Sequence, residues 1–349
     1  MQTNFKNLVQ YAYMKKPFDS QKLAQGKRVL SGIRATGRLH LGNYLGAVKG
    51  MLALQSRVDY ETYYMVADVH TITTPYNVEE LRKNRREVIL DYLAAGLDPE
   101  KSVIFQQSEV NEHLELAFYL SSVVTIAKMQ HLPTFKEKVK QYPHNATLAL
   151  LNYPALMAAD ILIYKAELVP VGIDQEPHLE VAREIARRFN QDYGTNFPEP
   201  VSFQTEGKYV PSLTGEGKMS KSVEGSYINL TDSLDVIKSK IAKIPTDEGR
   251  GTEITGGVKA LFEFVELFQG KDRRDELESQ YKNEGVRYGE IKNELAEAIF
   301  RELEPIQEKR RELENNPEYV DKVIAEGNEK AQKIATGTIK EVREKMGLS

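Results

Sequence analysis

Residues 30–47 read Leu-Ser-Gly-Ile-Arg-Ala-Thr-Gly-Arg-Leu-His-Leu-Gly-Asn-Tyr-Leu-Gly-Ala, with Gly32, Gly37, Gly42 and Gly46 around one histidine, His40. Glycine at a strand-to-helix junction lets the backbone approach a ligand closely. A helix starting just beyond offers unpaired N–H groups and a positive dipole end, which suit phosphate. No Gly-Lys-Ser/Thr follows, so this is not a P-loop, and the glycine spacing is not that of a dinucleotide fingerprint.

A second chemical signal is Asp160. It sits inside Leu-Asn-Tyr-Pro-Ala-Leu-Met-Ala-Ala-Asp-Ile-Leu-Ile-Tyr, residues 151–164, an otherwise apolar helical run. A buried carboxylate is costly without a partner. Asp160 is therefore either a structural cap or ion pair, or an acceptor for a ligand N–H in an apolar pocket. The second arrangement rejects isosteres that lack the N–H.

Two more polar groups follow apolar runs: Asp68-Val-His70 after 61–67, and Asp174-Gln175 after 168–171 and Gly172. Ligands of open α/β sheets bind beyond the carboxyl ends of parallel strands. Asp174 and Gln175 suit ribose hydroxyls and an amino group. His70 reads equally well as a hydrogen-bonded core histidine.

The positioning elements are strands at 28–30, 61–67, 102–107 and 168–171, alternating with helices at 78–93, 113–129, 151–164 and 179–190. That alternation implies a doubly wound parallel sheet. Arg82-Lys-Asn-Arg-Arg86 reads as a solvated helix face, with RNA contact as the alternative. Residues 128–140 carry a net charge of +3, either a solvated loop or a cationic lid.

From residue 229 the pattern is helical throughout: 233–243, 257–268, 273–284, 286–314 and 317–346. Ile291, Leu295, Ala298 and Ile299 keep one apolar face. The expected organisation is an N-terminal extension (1–27), an α/β domain (28–228) and a helical domain (229–349). The helical part holds 21 Lys and Arg against 26 Asp and Glu, so it offers no broad basic platform, although 330–345 is locally basic.

The length of 349 residues allows two domains, and 28% charged with 41% hydrophobic residues is a soluble globular profile. A net charge of -4 excludes a uniformly basic surface but not a local RNA-binding patch. The absence of cysteine excludes disulfides, thiolate zinc sites and iron–sulfur clusters. No run approaches the length of a membrane span, and no signal-peptide core is present. The expected location is the cytoplasm, with no membrane partner.

His40-Leu-Gly-Asn43 resembles the HIGH signature of class I aminoacyl-tRNA synthetases, and Gly217-Lys-Met-Ser-Lys-Ser222 reads as their KMSKS loop. Tyr153-Pro-x-Leu-Met-Ala-Ala-Asp-Ile-Leu162, Val169-Pro-Val-Gly-x-Asp-Gln175, His178-Leu-Glu-x-x-Arg183 and Phe189-Asn190 are similar to bacterial tryptophanyl-tRNA synthetases. The similarity runs from about Arg28 to the C-terminus.

The resemblance implies a Rossmann-type catalytic domain and a helical anticodon-binding domain. It also implies activation of tryptophan by ATP, with Mg²⁺ on its phosphates and no protein-bound metal, then transfer to the 3′ adenosine of tRNA(Trp). Arg34, Ala35, Thr36, Gly42 and Asn43 would line the ATP site, continued by Gly172, Ile173 and Asp174, with Val210 near the adenine. Asp160 would take the indole N–H. Met157, Ala67 and Val171 would shape the indole pocket, Tyr153 and Gln175 would hold the amino group, and His70 would stand beside it.

The substrate carboxylate is the nucleophile, so positioning and electrostatic stabilisation carry the chemistry. Lys218 and Lys221, flanked by Met219, Ser220 and Ser222, would follow the phosphate oxygens with His40, and Lys138 or Lys136 from the opposite side. The resemblance also implies a homodimer, with apolar helices around 117–126 and 148–162 as its interface.

Departures from the family pattern are Arg34 in place of glutamine, Ala35 in place of proline and Ile173 in place of an acidic residue. Arg34 bears on amino-acid affinity. The rival readings are a tyrosyl-tRNA synthetase, a related adenylyltransferase and an inactive synthetase-like RNA-binding protein. Asp160 argues against the tyrosine enzyme. The helical C-terminal part argues against a small adenylyltransferase, and the intact His40, Gly42, Lys218 and Lys221 argue against the inactive protein.

Overall fold

The computed structural model describes residues 26–170, 175–203, 209–221 and 223–349. The extension up to residue 25, Val171, Gly172, Ile173, Asp174 and Ser222 lie outside the described residues.

Five parallel strands form one sheet in the order β3-β2-β1-β4-β5. They are β1 (Lys27–Arg34), β2 (Tyr60–Ala67), β3 (Ser102–Gln106), β4 (Leu168–Pro170) and β5 (Val201–Phe203). β1 is longer than the 28–30 expected, because every residue from Lys27 to Arg34 pairs with Tyr60 to Ala67. Gly32 thus belongs to a strand. A Cβ there would lie 2.9 Å from the Met65 carbonyl oxygen, so glycine permits the close pairing.

The helices before the sheet's last strand are α1, α2 (Val78–Ala94), α3 (Glu112–Ser121), α4 (Ile126–His131), α5 (Pro133–Gln141), α6 (Leu148–Ile163) and α7 (Glu176–Tyr193). α1 begins at Leu41–Asn43, opens into a π turn over Tyr44–Val48 and continues as Lys49–Gln55. The single helix expected over 113–129 is two helices. The β-branched run Val123-Val124-Thr125 disfavours helix, and Thr125 caps the next one by accepting the Lys128 N–H. Residues 128–140 are accordingly helical rather than a loop.

Five helices follow: α8 (Leu234–Ala242), α9 (Gly256–Gln269), α10 (Lys271–Asn283), α11 (Tyr288–Glu314) and α12 (Pro317–Met346). Successive residues of β2 face opposite sides of the sheet. Tyr64 and Val66 enter one core with α1, α2 and α8 to α11, while Tyr63, Met65 and Ala67 enter another with α3, α6 and α7.

α12 returns across the edge strand. Asn328 accepts the Gln106 N–H at 2.9 Å, and a Cβ on Gly327 would lie only 1.7 Å from the Ile104 carbonyl oxygen. The open side of β3 is therefore covered. Among the described residues no helix is long and apolar enough to cross a membrane.

Candidate active site

Chain order reverses on either side of β1, and a large cleft opens there beyond the carboxyl ends of β1, β2 and β4. Its volume of about 1320 Å³ exceeds what one drug-sized ligand needs, so it has room for two substrates.

Asp160 forms one wall. Leu150, Tyr153, Met157, Asp160 and Ile161 line the cleft from one face of α6, at helical spacing, while Ala158, Ala159 and Leu162 point into the core. The carboxylate is 2% exposed. Its Oδ1 accepts from Gln107 Nε2 at 2.8 Å and His113 Nδ1 at 2.6 Å, and its Oδ2 lies 2.8 Å from His70 Nε2. Burial alone would raise its pKa. The hydrogen bonds of His113 and His70 outweigh burial and hold it below the ordinary carboxylate value. His113 is fixed in turn, since the Tyr164 hydroxyl lies 2.7 Å from its Nε2. The cleft therefore holds an ionised acceptor, with His70 as the hydrogen-bond partner found for Oδ2 among the described residues.

Gln107 and His113 escaped the sequence reading. Gln107 follows the end of β3, and the rule that singled out Asp68 and His70 also covered it. His113 gave no local signal, because it is 47 residues from Asp160.

His40 caps α1. Its Nδ1 accepts the Asn43 N–H at 3.3 Å, and Asn43 Oδ1 accepts the His40 N–H at 3.2 Å, a reciprocal capping box. The ring's proton thus belongs on Nε2. Burial, then the charges of Lys221 and Lys218, push the His40 pKa down to about 4, so a neutral Nε2–H donor lines the cleft. A Cβ on Gly42 would lie 2.9 Å from ring atoms of His40, which explains the glycine two residues on.

Arg34 enters at the end of β1. Its Nη2 donates to the His70 carbonyl at 2.8 Å and to Thr74 Oγ1 at 3.2 Å, and its buried Nε has no partner. Burial lowers its pKa, and no ion pair with a carboxylate is found for it among the described residues. Lys138 lines the opposite wall one turn after Thr134 on α5, whereas Lys136 faces solvent. Burial and then the Arg34 charge lower the Lys138 pKa. Two cations thus face the same cleft from opposite walls, an arrangement suited to a polyanion.

Thr36, Asn43, Ala67, Gln175, Lys218, Met219 and Ser220 also line the cleft. Ala35 and Val210 do not, since both are buried in the core. Lys221 differs from expectation. Its ammonium turns away from the cleft and donates to the carbonyls of Arg38 and Thr36, and burial lowers its pKa to about 8. The arginines of α2 are engaged by acids: Arg82 by Glu79, Arg85 by Asp68 and Glu109, and Arg86 by Asp321. Arg85 and Arg86 are partly buried in these pairs, whereas Arg82 and Glu79 stand exposed on the solvated face.

A parallel sheet with a HIGH-type histidine capping the first helix, a KMSKS segment folded over it and a cationic cleft between them defines a class I aminoacyl-tRNA synthetase. The chain belongs to that family, described as tRNA synthetases class I (W and Y), which matches residues 23–304. Among its relatives, the tryptophan–tRNA ligase of Porphyromonas gingivalis is 41% identical over 328 residues, covering 92% of this chain and 99% of that protein. The Thermotoga maritima tryptophan–tRNA ligase is 42% identical over 329 residues, covering 92% and 99%. The tryptophanyl-tRNA synthetase of Campylobacter jejuni, solved with ADP and tryptophan, superposes with a TM-score of 0.80 at 33% identity, over 92% of this chain and all of that one.

Proposed function

We propose that this chain is a tryptophan–tRNA ligase. A carboxylate oxygen of tryptophan attacks the α-phosphorus of ATP and the bond to pyrophosphate breaks; a ribose hydroxyl of the 3′ adenosine of tRNA(Trp) then attacks the carbonyl carbon of the adenylate, and AMP leaves. The observation that carries the reading is Asp160, an ionised acceptor held by three donors on the apolar side of a two-substrate cleft. Its Oδ2 has capacity for one more donor, which suits an indole N–H.

In this reading Met157 and Ala67 flank the indole and Tyr153 with Gln175 holds the amino group. Tyr153 is oriented by a hydrogen bond to His178. On the nucleotide side, the His40 Nε2–H, Lys218, Ser220 and Lys138 contact phosphate oxygens, stabilising the charge that builds on the pentavalent phosphorus and the leaving group. In this reading Mg²⁺ arrives with ATP, on its phosphates. Arg34, a cation with no carboxylate partner among the described residues, is suited to the substrate carboxylate or the α-phosphate. Lys221 clamps the KMSKS segment to the HIGH segment before the phosphates draw it over.

The helices from α8 onward bind the anticodon arm. A homodimer forms through α3 and the start of α6, where Phe118 and Leu148 are 76% and 82% exposed. The enzyme works in the cytoplasm, where tRNA is charged.

The test is amino-acid-dependent ATP–pyrophosphate exchange with tryptophan, tyrosine or neither. Exchange with tryptophan alone supports the reading, exchange with tyrosine overturns the specificity, and none with either overturns the activity. A monomer in sedimentation at micromolar concentration would overturn the dimer.

A further inference from the structure

The residue before His40 is tied, through α2, to α11. The Leu39 N–H donates to Asp91 Oδ2 at 2.6 Å, and Asp91, on α2, is 1% exposed. The other oxygen of Asp91 accepts from Arg310 Nη1, on α11. Arg310 is 2% exposed, and its other donors go to the carboxylates of Glu87 and Glu314. Glu87 also accepts from Arg38 Nε at 3.0 Å. Residues 38 and 39 are therefore both tethered, through α2, to one guanidinium of the helical part.

α11 grips the same segment from two other sides. Leu39 and Leu41 exchange backbone hydrogen bonds with Leu230 and Ile228. Gln307, one turn before Arg310, donates to the carbonyls of Leu230 and Asp232, both at 2.9 Å. Glu302 accepts from the Tyr44 hydroxyl at 3.2 Å and pairs with Lys49 at 2.8 Å, both on α1. None of Glu302, Gln307 and Arg310 lines the cleft. The Lys221 ammonium docks on the Arg38 carbonyl, so the KMSKS segment rests on the backbone these tethers fix.

A buried ion pair is weak evidence of stabilisation, because well-packed apolar residues often replace one without loss. This pair does one thing an apolar pair could not: it supplies a fixed acceptor for the Leu39 N–H. We propose that Arg310 and Asp91 are a positioning pair for the ATP half of the site. The guanidinium fixes the carboxylate, the carboxylate fixes the Leu39 N–H, and the backbone so held sets where His40 points. α11 is then the element through which the helical part acts on adenylate formation. The inference rests on the activity proposed above.

The test compares two double variants by tryptophan-dependent pyrophosphate exchange, after the wild-type chain has shown that exchange. A wild-type chain without exchange would defeat the proposed function rather than this pair. Asp91→Leu/Arg310→Met removes both charges together with the acceptor, whereas Asp91→Asn/Arg310→Met keeps an amide oxygen for Leu39. The leucine variant is expected to raise the KM for ATP about tenfold and lower kcat, with the tryptophan KM within about twofold. The asparagine variant should stay within about threefold of wild type. A purely structural pair would make the two variants alike, or move both KM values together, and either result overturns the proposal. If the leucine variant does not fold, Arg310→Lys decides: it keeps the charge but loses the planar fork. A rise of about threefold in the ATP KM alone is then expected, and an unchanged ATP KM overturns the proposal.

Discussion

His70 Nε2 and Asp160 Oδ2 lie 2.8 Å apart, joining the turn after β2 to the last turn of α6 across the base of the cleft. The contact orients the carboxylate and still leaves Oδ2 able to accept from a ligand. Asp160→Ala should reduce tryptophan-dependent pyrophosphate exchange by at least about 100-fold, since the lost acceptor is charged and buried. It should also cost about 1–3 kcal/mol of stability, because the donors of His113 and Gln107 lose their partner. Exchange kinetics and urea denaturation measure the two effects separately, and unchanged exchange would remove Asp160 from the site.

His40 makes the stability depend on pH. Its folded pKa of about 4 lies below the ordinary value of 6.5, so the unfolded chain takes up a proton between these values that the folded chain refuses. Stability therefore falls as the pH drops from about 6.5 towards 4, by about 2 kcal/mol at pH 5 for this group. His40→Asn should lose that part of the slope when denaturation at pH 7 and pH 5 is compared, and it should lower kcat about 10- to 100-fold. Identical slopes in variant and wild type would mean that His40 is not buried neutral.

Arg34 predicts opposite effects on activity and stability. Its Nε is buried and unpartnered, and its charge has no carboxylate partner among the described residues. Arg34→Gln should leave the melting temperature unchanged or raise it, because a partly buried charge with no carboxylate partner among the described residues is removed. The KM of the anionic substrate it serves should rise about tenfold. Calorimetry with exchange kinetics tests both, and a large loss of stability with normal KM values would make Arg34 structural.

Gly327→Ala tests the return of α12 to the sheet. The new methyl would have to displace the Ile104 carbonyl, so a loss of about 3 kcal/mol is expected. Gly337→Ala, on the same helix with nothing near its Cβ, should be neutral or slightly stabilising. Similar denaturation midpoints for the two variants would show that α12 does not pack as described.

The sequence by itself determined whatever depends on neighbours along the chain. The apolar helical run 151–164 singled out Asp160, the family resemblance added Tyr153 and Met157 beside it, and the glycines and the HIGH and KMSKS segments marked the phosphate side. Alternating strands and helices implied the parallel sheet, because these patterns repeat over a few residues and reflect local burial. Only the tertiary structure decided which distant groups answer the buried charges. It brought Gln107 and His113 to Asp160, Arg310 to Asp91, and turned Lys221 onto the Arg38 carbonyl rather than into the cleft. It also left Arg34 with no acidic partner among the described residues. A buried ionic group must find its partner wherever the packed chain supplies one, and no local spacing encodes a partner 219 residues away.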